Sequence, residues 1–75
     1  MKIVFRNMGQ IERFCNIAAK YNNVVVSSGS VSVDGESIIG VAAMGLNKVL
    51  DVMFNDKDKV VQFESEVNAL GIVRQ

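Results

Sequence analysis

Between Lys2 and Leu70 the apolar residues keep changing their spacing, and no spacing lasts long enough for a helical bundle or a pure β fold. Side chains alternate across a strand with a period of about 2 and recur along a helix every ~3.6 residues, so each change marks a new element. Lys2 to Arg6 alternates, with Ile3 and Phe5 on one face and Lys2, Val4 and Arg6 on the other. Ile11, Phe14, Cys15, Ala18 and Ala19 then follow at helical spacing, with Glu12, Arg13, Asn16 and Lys20 on the opposite face. Asn7 to Gln10 stands before this stripe as a capping box, an Asn acceptor followed by a Gln at the third position on. Tyr21-Asn22-Asn23 stops the helix.

Val24-Val25-Val26 is β-branched and reads as a strand. Ser27-Ser28-Gly29-Ser30 breaks it, and Ser30 to Asp34 resumes with Val31 and Val33 alternating, which predicts a hairpin. Asp34-Gly35 is a turn signal, and Ser37 sits as the N-cap of a helix running to about Leu46. Val49 to Phe54 alternates again, with Leu50, Val52 and Phe54 on one face. Asn55-Asp56-Lys57-Asp58 supplies turn and capping groups to a last helix from about Lys57 to Leu70. Its stripe is Val60, Phe63, Val67 and Leu70, and Gly71 suits the left-handed position after a helix end.

The expected order is therefore β-α-β-β-α-β-α. Amphipathic helices need a hydrophobic sheet face to cover. The expectation is an α+β fold: an open-faced two-layer β-sandwich, with a four-stranded antiparallel sheet covered on one face by three helices and wet on the other. Residues 1–75 read as a single domain, without repeat, linker or proline. With 49% apolar residues such a chain can build a core unaided. A single cysteine excludes an internal disulfide, and the lack of histidine argues against a structural zinc site. Basic and acidic residues balance at 8 each, so the electrostatic footprint of a nucleic-acid binder is missing. The N-terminus lacks the apolar region and cleavage site of a signal peptide, which predicts a cytoplasmic protein.

The uncharged run Ile38 to Leu46 is far shorter than the roughly 20 apolar residues that span a bilayer, so no membrane association is expected. It is too apolar for one helix to bury completely. Val41 and Leu46 are expected to point inward, leaving Ile38, Ile39 and Ala42 as an exposed patch beside Ser37. Such a patch marks an interaction site; the alternatives are that it closes a homodimer or is buried by the last helix. No enzyme is expected. Gly29, Gly35, Gly40 and Gly45 make no phosphate-cradling loop, and Glu12, Glu64 and Glu66 pair with no nucleophile. Asp56 and Asp58, next to Lys57 and Lys59, read as a helix start rather than a metal site, and Cys15 as a buried structural thiol. No cofactor is implied.

Gly35, Ser37, Ile38, Gly40, Val41, Gly45 and Leu46 fall in the frame G-x-S-I-x-G-V-x-x-x-G-[IL]. This resembles the regulatory-serine region of the HPr family, the small phosphocarriers of the bacterial sugar phosphotransferase system. Ala19-Lys20-Tyr21 is similar to the end of that family's first helix. The resemblance implies a sheet order of 1-4-2-3, a regulatory phosphorylation site at Ser37, and docking of protein partners on the helix that follows. Those partners are HPr kinase, transcriptional regulators and transporter subunits.

The departure is chemical. Family carriers start their first helix with a His-Ala-Arg-Pro-like motif, whereas the ungapped match puts Asn7 at the histidine and Gly9 and Gln10 at the arginine and proline. An amide nitrogen is delocalised into its carbonyl and is no nucleophile. A helix N-terminus attracts phosphate, but Asn7 cannot carry it covalently, so its job is capping. The resemblance then implies a histidine-less regulatory relative, like the catabolite-repression homologue of HPr. The alternative is a small-molecule-binding or structural module on a similar split β-α-β plan, as in ACT-like domains.

Overall fold

A computed structural model describes residues 1–74. The elements are β1 (Lys2–Val4), α1 (Met8–Tyr21), β2 (Val25–Ser28), β3 (Val31–Asp34), α2 (Ile38–Ala43), β4 (Val49–Met53), α3 (Val60–Asn68) and β5 (Val73–Arg74). They form an α+β fold with three helices and an open five-stranded antiparallel sheet in the order β3-β2-β4-β1-β5.

The expected four-stranded sheet is corrected to five strands. β1 offers a second edge to the C-terminal segment: Ile3 pairs with Val73, and Val4 N–H donates to Ile72 O at 2.8 Å. The first four strands lie in the order 1-4-2-3, and β5 is added beyond β1.

Alternation decides which face of the sheet is covered. Ile3, Val26, Leu50 and Val52 point to the helices and share one core with Ile11, Phe14, Cys15, Ala18, Val41, Phe63 and Val67. Lys2, Asp51 and Met53 lie on the open face, where Lys2 Nζ meets Asp51 Oδ1 at 2.9 Å across the β1–β4 register. Edge-to-face aromatic contacts join the layers: Phe5 to Phe14 at 5.4 Å, Phe14 to Phe63 at 6.5 Å and Tyr21 to Phe63 at 5.4 Å between ring centres.

Several boundaries differ from the sequence reading. Ser27 and Ser28 belong to β2, so the hairpin loop shrinks to Gly29-Ser30. Ala19, placed on the apolar stripe of α1, is exposed, whereas Tyr21, read as part of the helix stop, is buried. Tyr21 Oη donates to Glu66 on α3, and Lys20 Nζ bonds the other oxygen of that carboxylate. α3 starts at Val60 rather than near Lys57, because Asp56 Oδ1 accepts from Asp58 N–H at 3.0 Å and holds that stretch as a turn.

Candidate functional site

The site is built by the short segment that carries the chain from β3 into α2. Asp34 Oδ1 accepts from Glu36 N–H at 3.0 Å, and Asp34 O accepts from Ser37 N–H at 3.0 Å. This side-chain-assisted turn delivers Ser37 in extended backbone, where its Oγ accepts from Gly40 N–H at 3.1 Å and its carbonyl from Val41 N–H at 2.9 Å. Ser37 is thus the N-cap of α2, and its side chain is half-buried.

Two glycines of the frame lie at close approaches, Gly35 the tighter. A Cβ on Gly35 would stand 2.7 Å from Val24 Cγ1, and one on Gly40 would stand 3.3 Å from Val33 Cβ and 3.1 Å from Ser37 Oγ. Gly45 adopts φ +98°, which a side chain resists, and this ends the helical run. α2 therefore closes at Ala43, not near Leu46. Met44 takes the inward place, while Leu46, expected to point inward, is 39% exposed.

Val41 is fully buried, as its place in the stripe requires. Ile38 is 42% and Ile39 85% exposed. Ala42, expected on the exposed side, is half-buried and packs against the core. The acidic side chains of Asp34 and Glu36 are exposed in the turn that leads to Ser37, and that turn carries no basic residue.

Asn7 caps α1. Its Oδ1 accepts from Gln10 N–H at 2.9 Å, and Gln10 Oε1 accepts from Arg6 N–H at 2.8 Å, so the reciprocal bond reaches one residue before the cap. The two capped helices pack on each other, and Asn47 N–H, just after α2, donates to Phe5 O at 2.7 Å, just before Asn7.

Other reactive groups are spoken for. Burial, and then the charge of Asp34, pushes the Cys15 thiol up to about 11, which leaves it protonated at neutral pH. Lys20 and Tyr21 hold the Glu66 carboxyl below its ordinary range, and bonding to Glu66 pushes the Tyr21 phenol up to about 12. Among the described residues no group of three or more His, Cys, Asp or Glu is arranged to hold a metal ion, and no helix is long and apolar enough to cross a membrane. No family model, curated protein or solved structure matches the chain.

Proposed function

We propose that this chain is a regulatory binding module of the HPr type, an open-faced β-sandwich controlled through Ser37 and not a phosphoryl carrier. The observation that carries the reading is a serine cap beside exposed Ile38 and Ile39, inside the G-x-S-I-x-G-V frame. The strand order 1-4-2-3 supports it. The missing histidine removes phosphohistidine transfer, because Asn7 offers a carbonyl acceptor and no nucleophilic nitrogen.

Phosphorylation of Ser37 adds about −1.5 to −2 charges at neutral pH. At a helix N-terminus that charge meets free N–H groups and the positive end of the dipole, so the fold persists. Asp34 and Glu36 repel it, and the turn supplies no cation. A partner with a basic pocket flanked by apolar residues completes the site, and Ile38, Ile39 and the edge of Ala42 meet its apolar rim. An HPr kinase would modify the serine, and a transcriptional regulator or transporter subunit would read it.

The test is a pull-down from cell extract with unmodified protein, Ser37-phosphorylated protein and a phosphorylated Ile38→Glu variant, each first shown to be folded by circular dichroism. The phosphorylated form should recover a partner that the other two do not. Recovery of the same partners by all three would refute control through Ser37.

A further inference from the structure

β3 is an edge of the sheet and carries few of the usual devices against pairing. It has no lysine, no proline and no bulge, since its register with β2 runs one-to-one from Val25–Asp34 to Ser28–Val31, and its protection is limited to its four-residue length and the one charge of Asp34. The direction of its backbone groups follows from the ladder. Gly35 N–H donates to Val24 O at 2.7 Å, which makes Val24–Gly35 a hydrogen-bonded pair. Bonded and non-bonded pairs alternate in an antiparallel ladder, so Val26–Val33 and Ser28–Val31 are bonded as well. Val31 and Val33 therefore turn their amides toward β2, and Ser32 and Asp34 turn theirs outward. Asp34 O is occupied by Ser37 N–H. The N–H and C=O of Ser32 and the N–H of Asp34 face out from the edge.

We propose that β3 pairs antiparallel with β3 of a second copy of this chain, centred on Ser32. This register pairs the outward groups of the two Ser32 residues with each other and keeps the Asp34 carboxylates apart. The two Ser32 residues exchange both N–H···O bonds, and each Asp34 falls opposite Ser30 of the second copy. A register centred on Asp34 would oppose two carboxylates and need a carbonyl already in use. In the Ser32 register the two Asp34 residues are about 14 Å apart along the seam, beyond the roughly 8 Å screening length at physiological salt. The segment Ser30-Val31-Ser32-Val33-Asp34 is thus complementary to itself, which argues for a second copy over an unrelated extended peptide.

Val31, 55% exposed in the single chain, comes to lie opposite Val33 of the second copy. The two-fold axis stands perpendicular to the sheet, so both α2 helices lie on the same side of the joined sheet and flank the seam. α2 is seated on β3 through the Gly40–Val33 approach. Five strand residues and one helix layer give a seam of about 17 by 20 Å, or about 700 Å² for both copies together. That falls below the roughly 1,200 Å² of stable complexes, so the dimer is weak and reversible.

The experiment is sedimentation velocity on the full chain from about 10 μM to about 1 mM, paired with amide hydrogen exchange by NMR. The mass should rise from 8.2 kDa toward twice that value. Exchange at Ser32 and Asp34 should slow with concentration while Val31 and Val33 stay constant. Ser32→Pro removes an outward N–H at an edge position, where proline is tolerated, and Val31→Lys charges the seam at an exposed position. Either variant should stay monomeric, and Met53→Lys on the open sheet face should dimerise like the parent. A parent that is monomeric throughout, a dimer that survives both seam variants, or a dimer lost only with Met53→Lys would overturn the proposal. So would protection of Ser32 that appears only on adding an extended peptide.

Discussion

Replacing Gly35 by alanine tests the geometry that delivers Ser37 to its helix. The added Cβ would meet Val24 Cγ1 at 2.7 Å and both Val24 Cβ and Val24 O at 3.0 Å. Non-bonded carbons prefer about 3.5–4.0 Å, so something must move. Val24 is buried and β-branched, with little freedom at χ1, and its carbonyl is held by the Gly35 N–H at 2.7 Å. Gly35 does not have a positive φ, so the cost is steric and not conformational.

Overpacking of this kind costs about 1–3 kcal/mol, and stretching the Gly35–Val24 hydrogen bond adds about 1 kcal/mol. We expect Gly35→Ala to destabilise by about 2–4 kcal/mol, a large share of the ~4–11 kcal/mol available to a domain this size. Urea unfolding followed by circular dichroism reads the loss directly. Val24→Ala alone should cost about 2 kcal/mol through lost burial and a residual void. The double variant relieves the contacts to Cγ1 but not to the carbonyl. It should be at least about 1 kcal/mol more stable than the sum of the single effects. A Gly35→Ala protein within about 0.5 kcal/mol of the parent, or strict additivity in the double variant, would refute the close approach.

Asn7→Ala should lose about 1 kcal/mol in the same assay while Asn7→Asp and Asn7→Ser stay near neutral; equal stability of Asn7→Ala and parent would place the start of α1 elsewhere. The Lys20–Glu66–Tyr21 link predicts a pH profile. Glu66 is held low when folded, so its contribution is complete above the ordinary carboxylate range and is lost as pH falls through its depressed value. Tyr21 is raised from 10.0 to about 12, so its contribution is complete below 10.0 and is lost as pH rises toward 12. Glu66→Gln should flatten both limbs of the urea midpoint against pH, and an unchanged profile would show that the link contributes nothing.

Where local chemistry decides, the sequence was readable. Asn7 and Ser37 were recognisable as caps because capping depends on a short side chain and the next turn of backbone. The alternation Leu50-Asp51-Val52-Met53 sorts faces without reference to anything distant. What was not readable depends on partners. β5 is a pair of residues too short to show a period, and it becomes a strand only because β1 has a free edge. Ser27 and Ser28 look like a break by composition, yet Ser32 and Val31 pair with them and draw them into β2. The apolar spacing of α2 runs on through Leu46. Its end is set by the backbone at Gly45, so the exposure of Leu46 could not be inferred from spacing alone. Tyr21 was hidden for a similar reason, because its hydroxyl is satisfied by Glu66 on a helix far along the chain.

Most of the frame around Ser37 has a structural explanation that requires no function. Gly35 and Gly40 make room for Val24 and Val33, Gly45 turns the chain, Val41 fills the core and Ser37 caps the helix. Any protein that seats so short a helix on an edge hairpin in this way needs similar residues at those places. Folding accounts only in part for Ile38 and Leu46, which stay 42% and 39% exposed, and least for Ile39 beside them at 85%. Ile39 gains little from burial in the single chain, and exposed apolar surface carries the risk of association. The specific content of the segment therefore lies in those residues and not in its glycines. Ile38 and Ile39 form the apolar rim on which a partner reading Ser37 would dock.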